Sequence, residues 1–247
     1  MEKKKLIPKA ITFDVYGTLI DWEGEIRDFF AKFLQKKGIT NITPYQAQQQ
    51  WELLQFDYIK TYKPYRKVLA DSFKMTCDYY GFAFDEQDPI DFAESMAHWR
   101  AFPDTVEAMK KIRRYTKVCM LTNTDKDIAA ATLSNAGIEV DMIVTAEDAG
   151  CYKPQHGGFL LSQKLLGLTA DQMMHAGFGF KYDVIPGNML GYTTIWVNRQ
   201  GIVRPIEGVT GEELQYCRED IMTGDLITLA YMLQGMHQTD IENGFTD

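Results

Sequence analysis

The stretch Ala10-Ile-Thr-Phe-Asp-Val-Tyr-Gly-Thr-Leu-Ile20 decides how the chain is read. Its apolar run up to Val15 predicts a buried strand, and Gly17 permits the backbone to leave sharply at the strand's carboxyl end. Ligands of open parallel sheets bind outside the carboxyl ends of the strands, which makes Asp14 a candidate site residue. On local grounds alone the same Asp-Val-Tyr-Gly-Thr segment also reads as an ordinary turn, since Asp and Thr both form hydrogen-bonded turns.

Outward from this strand the pattern turns helical. Ile26, Phe29, Phe30, Phe33 and Leu34 form one apolar stripe ending at Gly38. Thr43-Pro44 supplies a cap and a first-turn residue for a second helix through Trp51, Leu54, Tyr58 and Ile59. A third carries Val68, Phe73, Met75 and Tyr79, and Asp88-Pro opens a fourth. No strand pattern interrupts them, so residues 21–98 are expected to form an inserted all-helical cap subdomain. From Phe102 onward strands at residues 117–122, 142–145, 173–176 and 193–197 alternate with helices at βαβ spacing. Right-handed crossovers then predict an α/β fold, a Rossmann-like parallel sheet with helices on both faces. The core comprises residues 1–20 and 99–234, with a small edge strand near 220–223 and a last helix over 225–233. Residues 235–247 read as a polar, frayed tail.

Four segments, taken together, resemble the motifs of the haloacid dehalogenase superfamily. Phe13-Asp14-Val15-Tyr16-Gly17-Thr18-Leu19 is similar to its first motif in the form carried by the 2-haloacid dehalogenase branch. Met120-Leu-Thr-Asn123, Ala149-Gly-Cys-Tyr-Lys-Pro154, and His175 to Asp183 followed by Val184-Ile-Pro-Gly187 match the others in order. The resemblance spans residues of about 9 to 234. It implies Asp14 as a nucleophile that forms an aspartyl ester, Lys153 as the cation keeping it ionised, and Asp183 as the acid positioning Lys153 or the hydrolytic water. It also implies Thr18 and Tyr16 around the nucleophile and Thr122 with Asn123 as the cradle of a substrate carboxylate. His175, in an apolar strand, reads as a core histidine, and Trp51, Phe56, Tyr58 and Tyr62 as cap packing, with the alternative that one ring faces the site.

Departures from the pattern sharpen the expected chemistry. Phosphatases of the superfamily carry an acid where this chain has Tyr16, and a phenol is a poor acid for protonating a leaving alcohol. Their usual second acidic metal ligand falls at Phe178, leaving only Asp183, whereas magnesium needs a compact oxygen shell. Chemistry at carbon without metal or cofactor is therefore expected, because halide leaves without protonation. The cap Arg usual in the dehalogenase branch is missing from Ala47-Gln-Gln-Gln-Trp-Glu52, with Lys60, Lys63 and Arg66 as candidate substitutes. Phe159, Phe178 and Phe180 stand where Tyr, Ser and Asn are usual. Alternative readings are a phosphatase or other small-molecule hydrolase of the same superfamily, or a weakly catalytic binding module.

Composition bounds the partners. The 247 residues carry 26 Lys plus Arg against 34 Asp plus Glu, for a formal charge of -8, which argues against nucleic acid. A small anionic substrate, a halogenated short carboxylic acid, remains compatible because local cations override a distant net field. Cys77, Cys119, Cys151 and Cys217 are dispersed without metal-binding spacing. Met1-Glu-Lys-Lys-Lys5 precedes no apolar signal region, and no run is long enough to cross a bilayer. These features predict a cytoplasmic protein with no membrane partner; a homodimer is compatible with them.

Overall fold

The computed structural model describes residues 5–207, 209 and 211–245. Residues 1–4 of the lysine-rich start and residues 246–247 of the expected tail lie outside the described residues.

Strand β1 (Ala10–Phe13) is buried at every position, as a strand covered on both faces requires. It pairs in parallel with β2 (Lys117–Thr122) on one side, and β2 pairs with β3 (Met142–Thr145). On its other side lie β4 (Met173–Gly177), β5 (Thr193–Val197) and the short edge strand β6 (Ile221–Thr223), giving the order β3-β2-β1-β4-β5-β6. The chain thus winds away from β1 in one direction and then, from β4, in the other. A crevice opens at such a reversal, outside the carboxyl ends of the two strands. Asp14 sits there, its N–H donating to the Ala176 carbonyl at 2.9 Å.

Between β1 and β2 come four long or medium helices, α1 (Trp22–Lys36), α2 (Pro44–Tyr58), α3 (Tyr65–Tyr80) and α4 (Asp88–Ser95), with no intervening strand. Their shared core is aromatic: Phe30 stacks on Phe73 at 5.7 Å, Trp51 meets Phe92 edge-on at 5.5 Å, and Phe33 meets Phe73 at 5.0 Å. Each such pair contributes roughly 0.5–1.5 kcal/mol beyond area burial. Thr43 and Gln46 close a capping box at the start of α2. The insert is tied to the core by paired linkers, Ile20 bridging Ala101 and Asp21 N–H donating to Arg100 O. A further latch is the Asp125 carboxylate, which accepts the Tyr65 and Arg66 N–H groups at 2.7 and 2.8 Å at the start of α3.

Core helices α5 (Thr105–Ile112), α6 (Lys126–Ala136), the one-turn α7 (Ala146–Ala149), α8 (Gly157–Leu166), α9 (Ile185–Met189) and α10 (Leu226–Glu242) follow. Alternate strand residues serve opposite faces. Ile11, Phe13, Val118 and Met120 join a cluster with Met109, Ile112, Leu229 and Leu233, whereas Ala10 and Leu121 pack with Phe159. Helices therefore cover both sides of the sheet. The frayed tail expected from residue 235 is corrected by α10, which continues to Glu242. Buried Asp240 accepts the Leu6 and Ile7 N–H groups at 2.7 and 2.9 Å, and Met236 packs on the core. A polar segment is held helical here by contact with the amino-terminal strand's approach, which no local periodicity reveals.

Candidate active site

Asp14, Lys153 and Asp183, between 30 and 169 positions apart in the chain, meet at the carboxyl ends of β1, β3 and β4. Lys153 Nζ donates to Asp14 Oδ1 at 2.9 Å and to Asp183 Oδ1 at 2.5 Å. All three side chains are buried, Asp14 at 6% exposure and Lys153 at 4%. The second oxygen of Asp14 accepts the Thr18 hydroxyl at 2.8 Å, and Thr18 Oγ1 in turn accepts the Phe178 N–H at 2.9 Å. Gly17 allows this close turn: its φ is +96°, and a Cβ there would lie 2.5 Å from the Phe178 ring.

Two carboxylates share one ammonium, and their surroundings separate them. Burial works against the charge on Asp183, but the Lys153 charge and the His175 hydrogen bond outweigh it and hold its pKa below the ordinary value. Gly179 N–H adds a bond to Asp183 Oδ2 at 3.0 Å. Burial dominates at Asp14, with Lys153 opposing and Asp183 reinforcing, and pushes its pKa up to about 6. Asp14 is the carboxylate that protonates first. For Lys153 burial is again unfavourable to charge, yet Asp14 and Asp183 together keep the ammonium pKa above its usual value.

His175 lies in the core, and it also touches the site. Burial depresses its pKa, so the ring is neutral at pH 7. Nε2 donates to Asp183 Oδ1 at 3.1 Å, while Nδ1 accepts from the Thr12 hydroxyl at 2.8 Å. The imidazole thereby orients Asp183 from behind. Its role was hidden in the sequence because the contact depends on a π-helical turn at Phe180–Val184 that folds Asp183 back toward β4.

The substrate-side candidates fall into different places. Asp14 faces a cavity of about 70 Å³ walled by Tyr16, Trp22, Phe56, Tyr65, Phe178 and Tyr182, with Gln55, Thr122 and Asn123 as neutral polar members. Tyr16 lines it, but its hydroxyl bonds Thr132 Oγ1 at 2.9 Å; Thr132 spends its own proton on the Ile128 and Met96 carbonyls, so Tyr16 is the donor. Thr122 is buried and its hydroxyl has no partner. The Asn123 amide clasps the Lys153 backbone in both directions, donating to its carbonyl at 3.1 Å and accepting its N–H at 2.7 Å. That clasp fixes the start of the lysine side chain. Lys60 pairs with Asp57, Lys63 donates to Tyr58 O at 3.0 Å, and Arg66 reaches Asp127 at 2.6 Å. None of these three lines the cavity. Of the four rings Trp51, Phe56, Tyr58 and Tyr62, Phe56, stacked on Tyr182 at 5.4 Å, lines the cavity, whereas Trp51 packs on Trp22 and Phe92, Tyr58 bonds Asp71 and Tyr62 meets Tyr152.

The family model of haloacid dehalogenase-like hydrolases matches residues 8–191, the span that holds every one of these groups. The chain belongs to the haloacid dehalogenase-like hydrolases. Within that family it is similar to haloacetate dehalogenase H-2 of Moraxella sp. (strain B), with 25% identity over 201 residues, 78% of this chain and 87% of the relative. It is also similar to the (S)-2-haloacid dehalogenase of Pseudomonas sp. (strain YL), with 23% identity over 198 residues, 79% of this chain and 84% of that one. Among solved structures, the L-2-haloacid dehalogenase of Xanthobacter autotrophicus with chloropropionic acid covalently bound superposes with a TM-score of 0.76 at 20% identity, covering 93% of this chain and 100% of its own. That likeness is one of fold: the α/β sheet with its inserted helices is the architecture of these hydrolases, and the chain is an enzyme of that class. Among the described residues no helix is long and apolar enough to cross a membrane.

Proposed function

We propose that this hydrolase is a metal-independent dehalogenase that converts a short 2-haloacid into the 2-hydroxy acid and halide. The observation that carries the reading is a buried carboxylate, Asp14, paired with Lys153 at 2.9 Å and facing a small aromatic-walled cavity. The Asp14 carboxylate attacks the halogen-bearing carbon, the carbon–halogen bond breaks, and halide leaves with the bonding pair, giving an aspartyl ester. Water then adds to the ester carbonyl carbon, the acyl–oxygen bond breaks, the hydroxy acid departs and a proton goes to solvent. Lys153 keeps Asp14 ionised, Asp183 holds Lys153 and is itself oriented by His175, and Thr18 fixes the carboxylate's rotation. The helical insert, residues 21–98, acts as the cap that closes the cavity and excludes water. A cytoplasmic setting belongs to the same proposal and accords with four free thiols.

Metal independence is supported by the donor set. Lys153 Nζ neutralises one oxygen each of Asp14 and Asp183, and Tyr16 and Phe178 add no carboxylate. Among the described residues no group of three His, Cys, Asp or Glu side chains is arranged to hold an ion. Halide release from haloacetates and 2-halopropionates is expected to survive exhaustive EDTA treatment. Magnesium-dependent phosphate release from small phosphate esters, without halide release, would overturn the proposal.

The pH dependence follows from Asp14. Only the ionised carboxylate attacks, and its pKa is raised to about 6. The kcat/KM is therefore expected to be level above that pH and to fall about tenfold per unit below it. A profile that stays flat down to pH 4 would show that burial does not govern the nucleophile.

A further inference from the structure

The cavity beside Asp14 is poorly furnished for an anion. Lys153 is the one cation among the described residues lining it, and its ammonium is already shared by Asp14 and Asp183. A carboxylate entering here would meet a site with excess negative charge, at the separation where ionic repulsion in a buried setting is strong. The roof offers no relief: α2 contains no Lys or Arg.

What the cavity does hold is two unused neutral groups. Gln55, at 2% exposure on the inner face of α2, gives one of its two amide N–H groups to the Tyr65 hydroxyl at 3.2 Å and keeps Oε1 without a partner. Thr122, on the floor at the end of β2, keeps Oγ1 without a partner. A carbonyl oxygen accepts only, whereas a hydroxyl can donate. One acceptor and one donor are the complement of a carboxamide, which offers N–H and C=O. A carboxylate offers acceptors alone and would leave Gln55 Oε1 unpaired unless the amide turned over.

We infer that the site is built for an uncharged carboxamide, so that the substrate class extends to short 2-haloamides and favours them over the corresponding 2-haloacids, with Gln55 as the residue that selects between them. The inference rests on the proposed displacement at Asp14. Atoms balance as for the acid: Asp14 displaces halide from C2, water cleaves the aspartyl ester, and the products are the 2-hydroxyamide, halide and a proton, with the amide bond untouched. Acids remain slower substrates, bound with the Gln55 amide reversed so that Tyr65 donates to Oε1.

Halide release from 2-chloropropionamide and 2-chloropropionate tests this on wild type, Gln55→Met and Gln55→Glu. Wild type is expected to favour the amide in kcat/KM by at least about tenfold, the scale of one buried hydrogen bond plus avoided repulsion. Gln55→Met should shrink that ratio by about tenfold or more, chiefly through KM, while the isosteric Gln55→Glu, still an acceptor, should keep the amide and depress the acid further. Equal use of both substrates by wild type, or an unchanged ratio in Gln55→Met, would overturn the inference. Calorimetric titration with the unreactive lactamide and lactate separates it from the reaction itself. Tighter lactamide binding with no halide released from either substrate would sustain the selectivity and defeat the displacement at Asp14. Lactate binding as tight as lactamide would defeat the selectivity whatever the turnover.

Discussion

Asp14→Asn is expected to fold normally and to release halide at least about 10³-fold more slowly than wild type. The substitution keeps the shape of a side chain whose two oxygens are both hydrogen-bonded, to Lys153 and Thr18. It removes the charge and with it the nucleophile, because an amide does not attack carbon at a useful rate. Lys153 retains Asp183 at 2.5 Å, so its ammonium is not orphaned, and the melting temperature should move by only a few degrees. Circular dichroism on heating and steady-state halide release measure the two quantities separately. A variant within tenfold of wild-type activity would remove Asp14 from the mechanism.

Lys153→Met is expected to damage both stability and rate. The side chain it replaces is 4% exposed and is bonded to two buried carboxylates. Deleting one partner from such a buried ionic group leaves uncompensated charge, a loss of about 3–5 kcal/mol. The carboxylates respond by binding a proton, and Asp14, already raised to about 6, should rise further without its cation. Turnover at pH 7 should fall by at least about 10²-fold, and the acid limb of kcat/KM should shift to higher pH. The sign for stability follows from linkage. A carboxyl group whose folded pKa is raised above its unfolded value destabilises the fold once it ionises, so the deficit is present at high pH and shrinks as pH falls through the raised pKa. Urea unfolding of variant and wild type at pH 5 and pH 8 should show the larger gap at pH 8; an equal gap at both would mean that Lys153 acts as packing alone.

Much of this arrangement was legible in the sequence, for a specific reason. Asp14, Thr122, Lys153 and Asp183 each follow an apolar strand pattern, and a parallel sheet gathers strand ends however far apart they lie in the chain. The inserted helices were equally legible, since apolar stripes such as Ile26, Phe30, Phe33 and Leu34 recur at helical spacing and are buried as that spacing predicts. What escaped was set by single tertiary contacts. Asn123 lines the cavity, where the motif resemblance would put it, but the clasp of its amide on the Lys153 backbone has no local signal. The hydroxyl of Tyr16 turns to Thr132, 116 positions away. Gln55 is one of several polar residues along a Gln-rich helix, and only its seat in the cavity distinguishes it. The continuation of α10 depends on Asp240 meeting Leu6 and Ile7 across more than 230 residues, a contact that leaves no trace in local composition.

The measurement closest to the central claim is a single turnover in oxygen-18 water with enzyme in excess over 2-chloropropionate, followed by mass analysis of the peptide containing Asp14. Because water attacks the ester carbonyl carbon, one heavy oxygen should appear in the Asp14 carboxylate, and the lactate from this first turnover should carry none. Heavy oxygen in the lactate with an unlabelled Asp14 would mean that water displaces halide directly, and the covalent mechanism would be wrong.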